Sequence, residues 1–159
     1  MKLRIIAIVA GSLIGASAHS NPPDEWHFKA WPAAVAQARA ESKPLFVLFG
    51  FEECPWCQHL YRHGMSDRAL RTAYQQTVIL AYFDTKIHAR DERLVFPGGA
   101  STSAGEIIDR LHAYPTPSWV FISPCGVVLN ADRGSMTTPV QMRRDLELAL
   151  SKPIEPCYR

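Results

Sequence analysis

Two cysteines three residues apart stand in the run Cys54-Pro55-Trp56-Cys57, directly after an apolar stretch, Phe46 to Phe51, and two carboxylates, Glu52 and Glu53. Thiols at this spacing can close a disulfide with each other. The chemistry this suits is exchange: a thiolate attacks a foreign disulfide, and a second thiol releases the mixed disulfide before it stalls. Pro55 fits the first position of a helix, so Cys54 falls at a helix N-terminus. There the unpartnered backbone N–H groups and the helix dipole favour a thiolate, which makes Cys54 the expected exposed nucleophile. Cys57, one turn further in, is the expected resolving thiol. Trp56 offers an apolar recognition surface between them, or simply packs over the disulfide.

A Cys-x-x-Cys pair is also half of a zinc site, and His59 and His63 lie on the same short helix. Against a metal, no second Cys-x-x-Cys exists, and helical geometry turns His59 away from Cys57. Solvated helix histidines are expected instead, and no metal ligand is assigned. Covalent haem needs a histidine directly after the second cysteine, where Gln58 stands. The remaining rival is a redox-inactive binding module, against which the presence of both cysteines argues.

The elements that must position this pair follow from pattern. A helix is expected over Pro32 to Ser42, ended by Lys43-Pro44, then a strand from Leu45 to Phe51, apolar enough to be buried on both faces. The cysteine helix runs from Pro55 to about His63, and Ser66 is the expected cap of a further helix, Asp67 to Tyr74. Val78 to Phe83 reads as a strand closed by Asp84. Residues 86–102, with Pro97-Gly98-Gly99, show no period and read as a long surface loop that shapes the substrate groove. Ser103 and Glu106 form a capping box for a helix carrying Ile107, Ile108 and Leu111. A hairpin follows, Ser118 to Ser123 and from Val127, turning at Pro124-Cys125-Gly126. Thr138-Pro139-Val140-Gln141 opens a last helix to about Leu150.

The chain has 159 residues, 47% of them hydrophobic and 20% charged, the size and composition of one globular domain. A net charge of +2 with basic residues spread among acids argues against nucleic acid. Lys2 and Arg4 precede the apolar run Ile5 to Ile14, and Ala16-Ser17-Ala18 supplies small residues for cleavage, so residues 1–18 read as a secretory signal. The apolar run is shorter than the roughly 20 residues a membrane span needs, so no stable span is expected after cleavage. Export to the bacterial periplasm, an oxidising compartment, suits four cysteines. Residues 19–30 read as a linker or packed arm anchored by Trp26 and Phe28.

The order of elements over residues 30–150 resembles the thioredoxin fold, above all in pairing Cys54-Pro55-Trp56-Cys57 with Tyr114-Pro115-Thr116-Pro117-Ser118-Trp119-Val120-Phe121. Lys43-Pro44-Leu45 through Cys57, followed by Ser66-Asp67, is similar to periplasmic thioredoxins of the sulfur-oxidation-associated type and to the soluble domains of transmembrane disulfide reductases. The resemblance implies an α/β thioredoxin-like domain over residues 31–159, a central mixed sheet flanked by helices. It implies a protein thiol-disulfide oxidoreductase that needs no cofactor, acts as a monomer on protein disulfides, and exchanges electrons with a membrane or soluble dithiol partner. Thr116–Pro117 is then a cis bond beside the cysteines, Pro117 the substrate-side wall, and the Thr116 backbone a holder of incoming peptide. Gly134 matches a family glycine that leaves room beside the site.

One departure stands out. Thioredoxins carry a carboxylate six residues before the first cysteine, where it accepts the proton of the resolving thiol; here that position is Leu48. In the same layout the last helix returns toward the turn carrying Cys125, so the tail can bring Cys157 alongside for a second disulfide, worth about 3 kcal/mol for its loop length; separate free thiols are the alternative. Glu52 and Glu53 oppose a negative sulfur, and neither Pro55 nor Trp56 adds positive charge, so a reductive direction is expected.

Overall fold

The computed structural model describes residues 21–134, 136–154 and 157. The expected signal segment, residues 1–18, lies outside the described residues. A 3-10 turn, Asp24–Trp26, leads into β1 (Lys29–Ala30), α1 (Trp31–Glu41), β2 (Leu45–Gly50), α2 (Pro55–His63), α3 (Arg68–Thr77) and β3 (Ile79–Asp84). There follow β4 (Arg93–Val95), β5 (Ser101–Ser103), α4 (Ala104–Arg110), β6 (Ser118–Ile122), β7 (Val128–Arg133) and α5 (Pro139–Leu150).

The main sheet runs β1-β3-β2-β6-β7. β1, β3 and β2 are parallel, whereas β6 pairs antiparallel with β2 and β7 with β6. β2 is central, and all six of its residues are buried. This is why the segment is a continuous apolar run rather than an alternating one. Its side chains alternate between two cores. Leu45, Val47 and Phe49 join Trp31, Phe83, Ile107 and Ile108 beneath α1 and α4. Phe46 and Leu48 join Cys57, Leu60, Tyr74, Trp119 and Phe121 beneath α2, α3 and α5.

Local signals set most boundaries. Pro32 sits in the first turn of α1, and Ser42 ends the helix in the left-handed region at φ 52°. Ser103 with Glu106, and Thr138 with Gln141, make the two reciprocal capping boxes of α4 and α5.

Two expectations need amendment. Asp67, not Ser66, caps α3: its carboxylate accepts from the Leu70 N–H at 2.6 Å, while the Ser66 hydroxyl donates to the His63 carbonyl. The helix consequently starts at Arg68, and a carboxylate in that place also complements the helix dipole. Residues 86–102 are not irregular throughout, because β4 and β5 pair there as a small antiparallel sheet. Strands of three residues are too short to show a period in sequence. Of the two readings of the arm, linker or packed, the described residues are packed: Lys29 and Ala30 pair with Ala81 and Tyr82, and Trp26 is fully buried, its indole N–H donating to the Met65 carbonyl at 3.0 Å.

Candidate active site

β2 ends at Gly50, a turn brings in Glu52 and Glu53, both exposed, and α2 begins at Pro55. Cys54 is the N-cap of that helix. Its Sγ accepts from the Cys57 N–H at 3.1 Å, so the sulfur occupies the place of a capping oxygen and satisfies one of the helix's unpartnered donors. Cys54 and Cys57 are joined in a disulfide with their Cα atoms 5.2 Å apart.

Cys54 was expected to be exposed; in the disulfide it retains only 2% of its surface, and Cys57 none. The loop between α4 and β6 lies against it. That loop holds two cis bonds, Tyr114–Pro115 and Thr116–Pro117. It places the Thr116 hydroxyl 3.6 Å from the Cys54 Sγ, with Pro117 buried beneath. The Gly134 N–H, at the end of β7, donates to the Pro117 carbonyl at 3.1 Å, and the Tyr114 hydroxyl reaches the Thr85 carbonyl at 3.4 Å. The loop is thus held from both sides of the sheet.

Trp56 lies open at 58% exposure. Its ring meets His59 edge-on, and His59 in turn faces His63 at 4.3 Å between ring centres. Among the described residues no group of three or more His, Cys, Asp or Glu side chains is arranged to hold a metal ion. Tyr114, 49% exposed, adds a second aromatic surface on the same loop as Thr116. Nothing local in the sequence around Tyr114 tells an exposed ring from a buried one.

The floor of the site is unusual for its hydroxyls. Leu48 is fully buried, as an apolar residue in this position must be. Around it the buried hydroxyls of Tyr61, on α2, and Tyr82, on β3, lie beside one another and interact. Burial raises the Tyr82 phenol well above its ordinary value, and the Asp84 carboxylate adds to this. Tyr61 is raised by burial and by Tyr82. Both hydroxyls therefore keep their protons at any physiological pH. Nothing in the sequence marks these tyrosines, since one lies 25 residues beyond Cys57 and the other reads as helix core.

Cys125 and Cys157 form a second disulfide, Cα to Cα 5.1 Å, that ties the tail to the turn between β6 and β7. Gly98 lets this turn be approached closely: at φ +96° a Cβ there would come within 2.6 Å of the Cys125 carbonyl oxygen.

Residues 25–124 match the model of a family described as thioredoxin-like. No curated protein matches the chain. Among solved structures, a thioredoxin from Thermus thermophilus shares 20% identity over 78% of this chain and 88% of its own, with a TM-score of 0.59. An oxidoreductase, DsbH, shares 15% over 91% of this chain and 96% of its own, with a TM-score of 0.60. At these identities the likeness is one of fold.

Proposed function

The chain belongs to the thioredoxin-like family, and from that premise we propose that it is a secreted protein thiol-disulfide oxidoreductase working through Cys54 and Cys57. The observation that carries the reading is the Cys54–Cys57 disulfide capping α2 beside Thr116 and Pro117. Cys54 attacks the substrate disulfide. Cys57 then attacks Cys54, releasing the substrate as dithiol and leaving the pair oxidised. Thr116 and Pro117 form the wall along which an extended peptide lies, and Trp56 and Tyr114 supply aromatic surface to its apolar side chains. Protein disulfides fit this open, aromatic surface, and a dithiol protein returns the electrons.

The periplasm is the compartment we assign. The leader pattern of residues 1–18 supports it, as does the pairing of all four cysteines. Among the described residues no helix is long and apolar enough to cross a membrane. We further assign a reductive direction. Glu52 and Glu53, both exposed, directly precede Cys54 and oppose a negative sulfur, and neither Pro55 nor Trp56 adds positive charge. A potential nearer thioredoxin's, about −270 mV, than DsbA's, about −120 mV, follows from a thiolate stabilised chiefly by helix N–H groups.

Insulin reduction and trapping test the assignment. Cys54→Ser should abolish disulfide reduction, and Cys57→Ser should accumulate mixed disulfides through Cys54. Full reduction by Cys54→Ser would overturn the activity. Equilibration with glutathione buffers measures the direction, and a potential above about −150 mV would make the protein a disulfide-forming catalyst instead.

A further inference from the structure

The resolving step needs Cys57 to lose a proton in a buried place. Cys57 has no exposed surface, and Leu48, in the position of the thioredoxin carboxylate, cannot take that proton. The neighbouring strand supplies other groups. In the parallel register Tyr82 stands beside Leu48 and Asp84 beside Gly50. Two residues apart on a strand, Tyr82 and Asp84 project to the same face. Tyr82 packs against the core that contains Cys57.

Gly50 brings the two reacting partners together. A Cβ added there would lie 3.1 Å from the Tyr82 hydroxyl and 3.3 Å from the Cys57 Sγ, so both atoms border the same space above a residue without a side chain. The Tyr82 hydroxyl is buried beside that of Tyr61, with which it interacts, and because a phenol both donates and accepts it retains capacity for the Cys57 thiol. Asp84 is 8% exposed, one of its oxygens accepting from the Lys86 and Ile87 N–H groups at 2.8 and 3.3 Å. Tyr82 and Asp84 both line an open cavity of about 660 Å³ that reaches to the arm at Asn21–Asp24, which gives a proton on Asp84 a way to solvent.

We propose that Tyr82 relays the proton of Cys57 to Asp84, replacing the carboxylate that Leu48 has displaced. The inference rests on the exchange reaction proposed above. In the mixed disulfide the Cys57 S–H proton passes to the Tyr82 oxygen while the Tyr82 O–H proton passes to the Asp84 carboxylate. Tyr82 is neutral before and after. The Cys57 thiolate then attacks the Cys54 sulfur, the Cys54–Cys57 bond forms, and the bond to the substrate breaks, its electron pair leaving on the substrate sulfur. The cysteine pair is oxidised by two electrons and the substrate disulfide reduced by two. The groups facing Tyr82 are Tyr61 from α2, Asp84 from its own strand and Glu52 from the turn before α2. High-pH deprotonation of Cys57 by hydroxide bypasses the relay.

Reduced full-length protein mixed with the aromatic disulfide DTNB reports the two steps separately. Attack by Cys54 releases one thionitrobenzoate, and resolution by Cys57 releases the second. In Tyr82→Phe, which removes only the hydroxyl oxygen, the second phase should slow relative to the first by at least about tenfold at pH 7, the gap closing above about pH 9. Asp84→Asn should show the same pH-dependent loss and serves as an independent variant. An unchanged ratio of phases in both variants, or a slowing equal at every pH, would overturn the relay. Absence of any release by the parent protein would instead overturn the exchange reaction on which it rests.

Discussion

The hydroxyl of Thr116 lies 3.6 Å from the sulfur of Cys54, although 62 residues separate them in the chain. A disulfide sulfur carries no proton, so in this state the hydroxyl is the donor. After reduction the same hydroxyl can donate to the Cys54 thiolate, the charged form it would favour. Thr116→Val keeps the shape and removes the donor. Iodoacetamide alkylation of Cys54 near pH 6.5 should slow by about threefold, a modest part of what a hydrogen bond to a charged group contributes. An unaltered alkylation rate would leave Thr116 with a role in peptide binding alone.

The Cys125–Cys157 bridge closes a loop of 32 residues. Replacing both with Ala should lower the unfolding free energy by about 3 kcal/mol, because the unfolded chain regains the entropy the bridge removes. Urea denaturation measures it. Insulin reduction by the folded fraction should persist, since these cysteines take no part in the exchange.

Trp26 belongs to the second core rather than to a loose arm. It stacks on Phe28 and meets Tyr74 edge-on, with ring centres 6.2 and 5.4 Å away. Trp26→Ala should cost about 3–5 kcal/mol, the usual loss for a fully buried aromatic, with the buried Met65 carbonyl left without its indole donor. Its denaturation midpoint should fall accordingly. A loss below about 1 kcal/mol would show that the arm contributes little to stability.

Glu106 gives the acid limb of the stability curve a definite sign. The Ser103 N–H, then the Thr102 and Ser103 hydroxyls, hold its carboxyl down at about 2 against an ordinary 4.5. Below 4.5 the unfolded chain binds a proton here that the folded chain does not, so the contribution is complete above 4.5 and is lost as pH falls toward 2. Glu106→Gln should flatten denaturation midpoints over that window and leave those above pH 5 little changed in slope. Ser103→Ala should cost about 1 kcal/mol at neutral pH by removing the cap.

What the sequence determined alone was whatever depends on neighbours in the chain. Cys54-Pro55-Trp56-Cys57 announced a disulfide at a helix start because capping, proline geometry and a three-residue spacing act within one turn. The five apolar side chains of β2 announced a central strand because burial on both faces leaves no polar position. The capping boxes at Ser103 and Thr138 were legible for the same reason, each being a contact over three residues. Asp67 was misplaced by one position, since Ser66 and Asp67 can both cap and only the fold decides which points at the helix.

Tertiary structure decided everything that crosses the sheet. Register sets Tyr82 beside Leu48 and Asp84 beside Gly50, and a shift of one residue would turn both toward the opposite core. The sequence announced the loss of a carboxylate at Leu48 but not the two hydroxyls gathered near it, because Tyr61 and Tyr82 look apolar in any local pattern. The contact of Thr116 with Cys54 is of the same kind: the Thr116–Pro117 loop is brought across by the antiparallel pairing of β6 with β2. Local pattern specifies which groups a segment carries; packing between distant segments fixes which of them meet, and the chemistry of this site lies in those meetings.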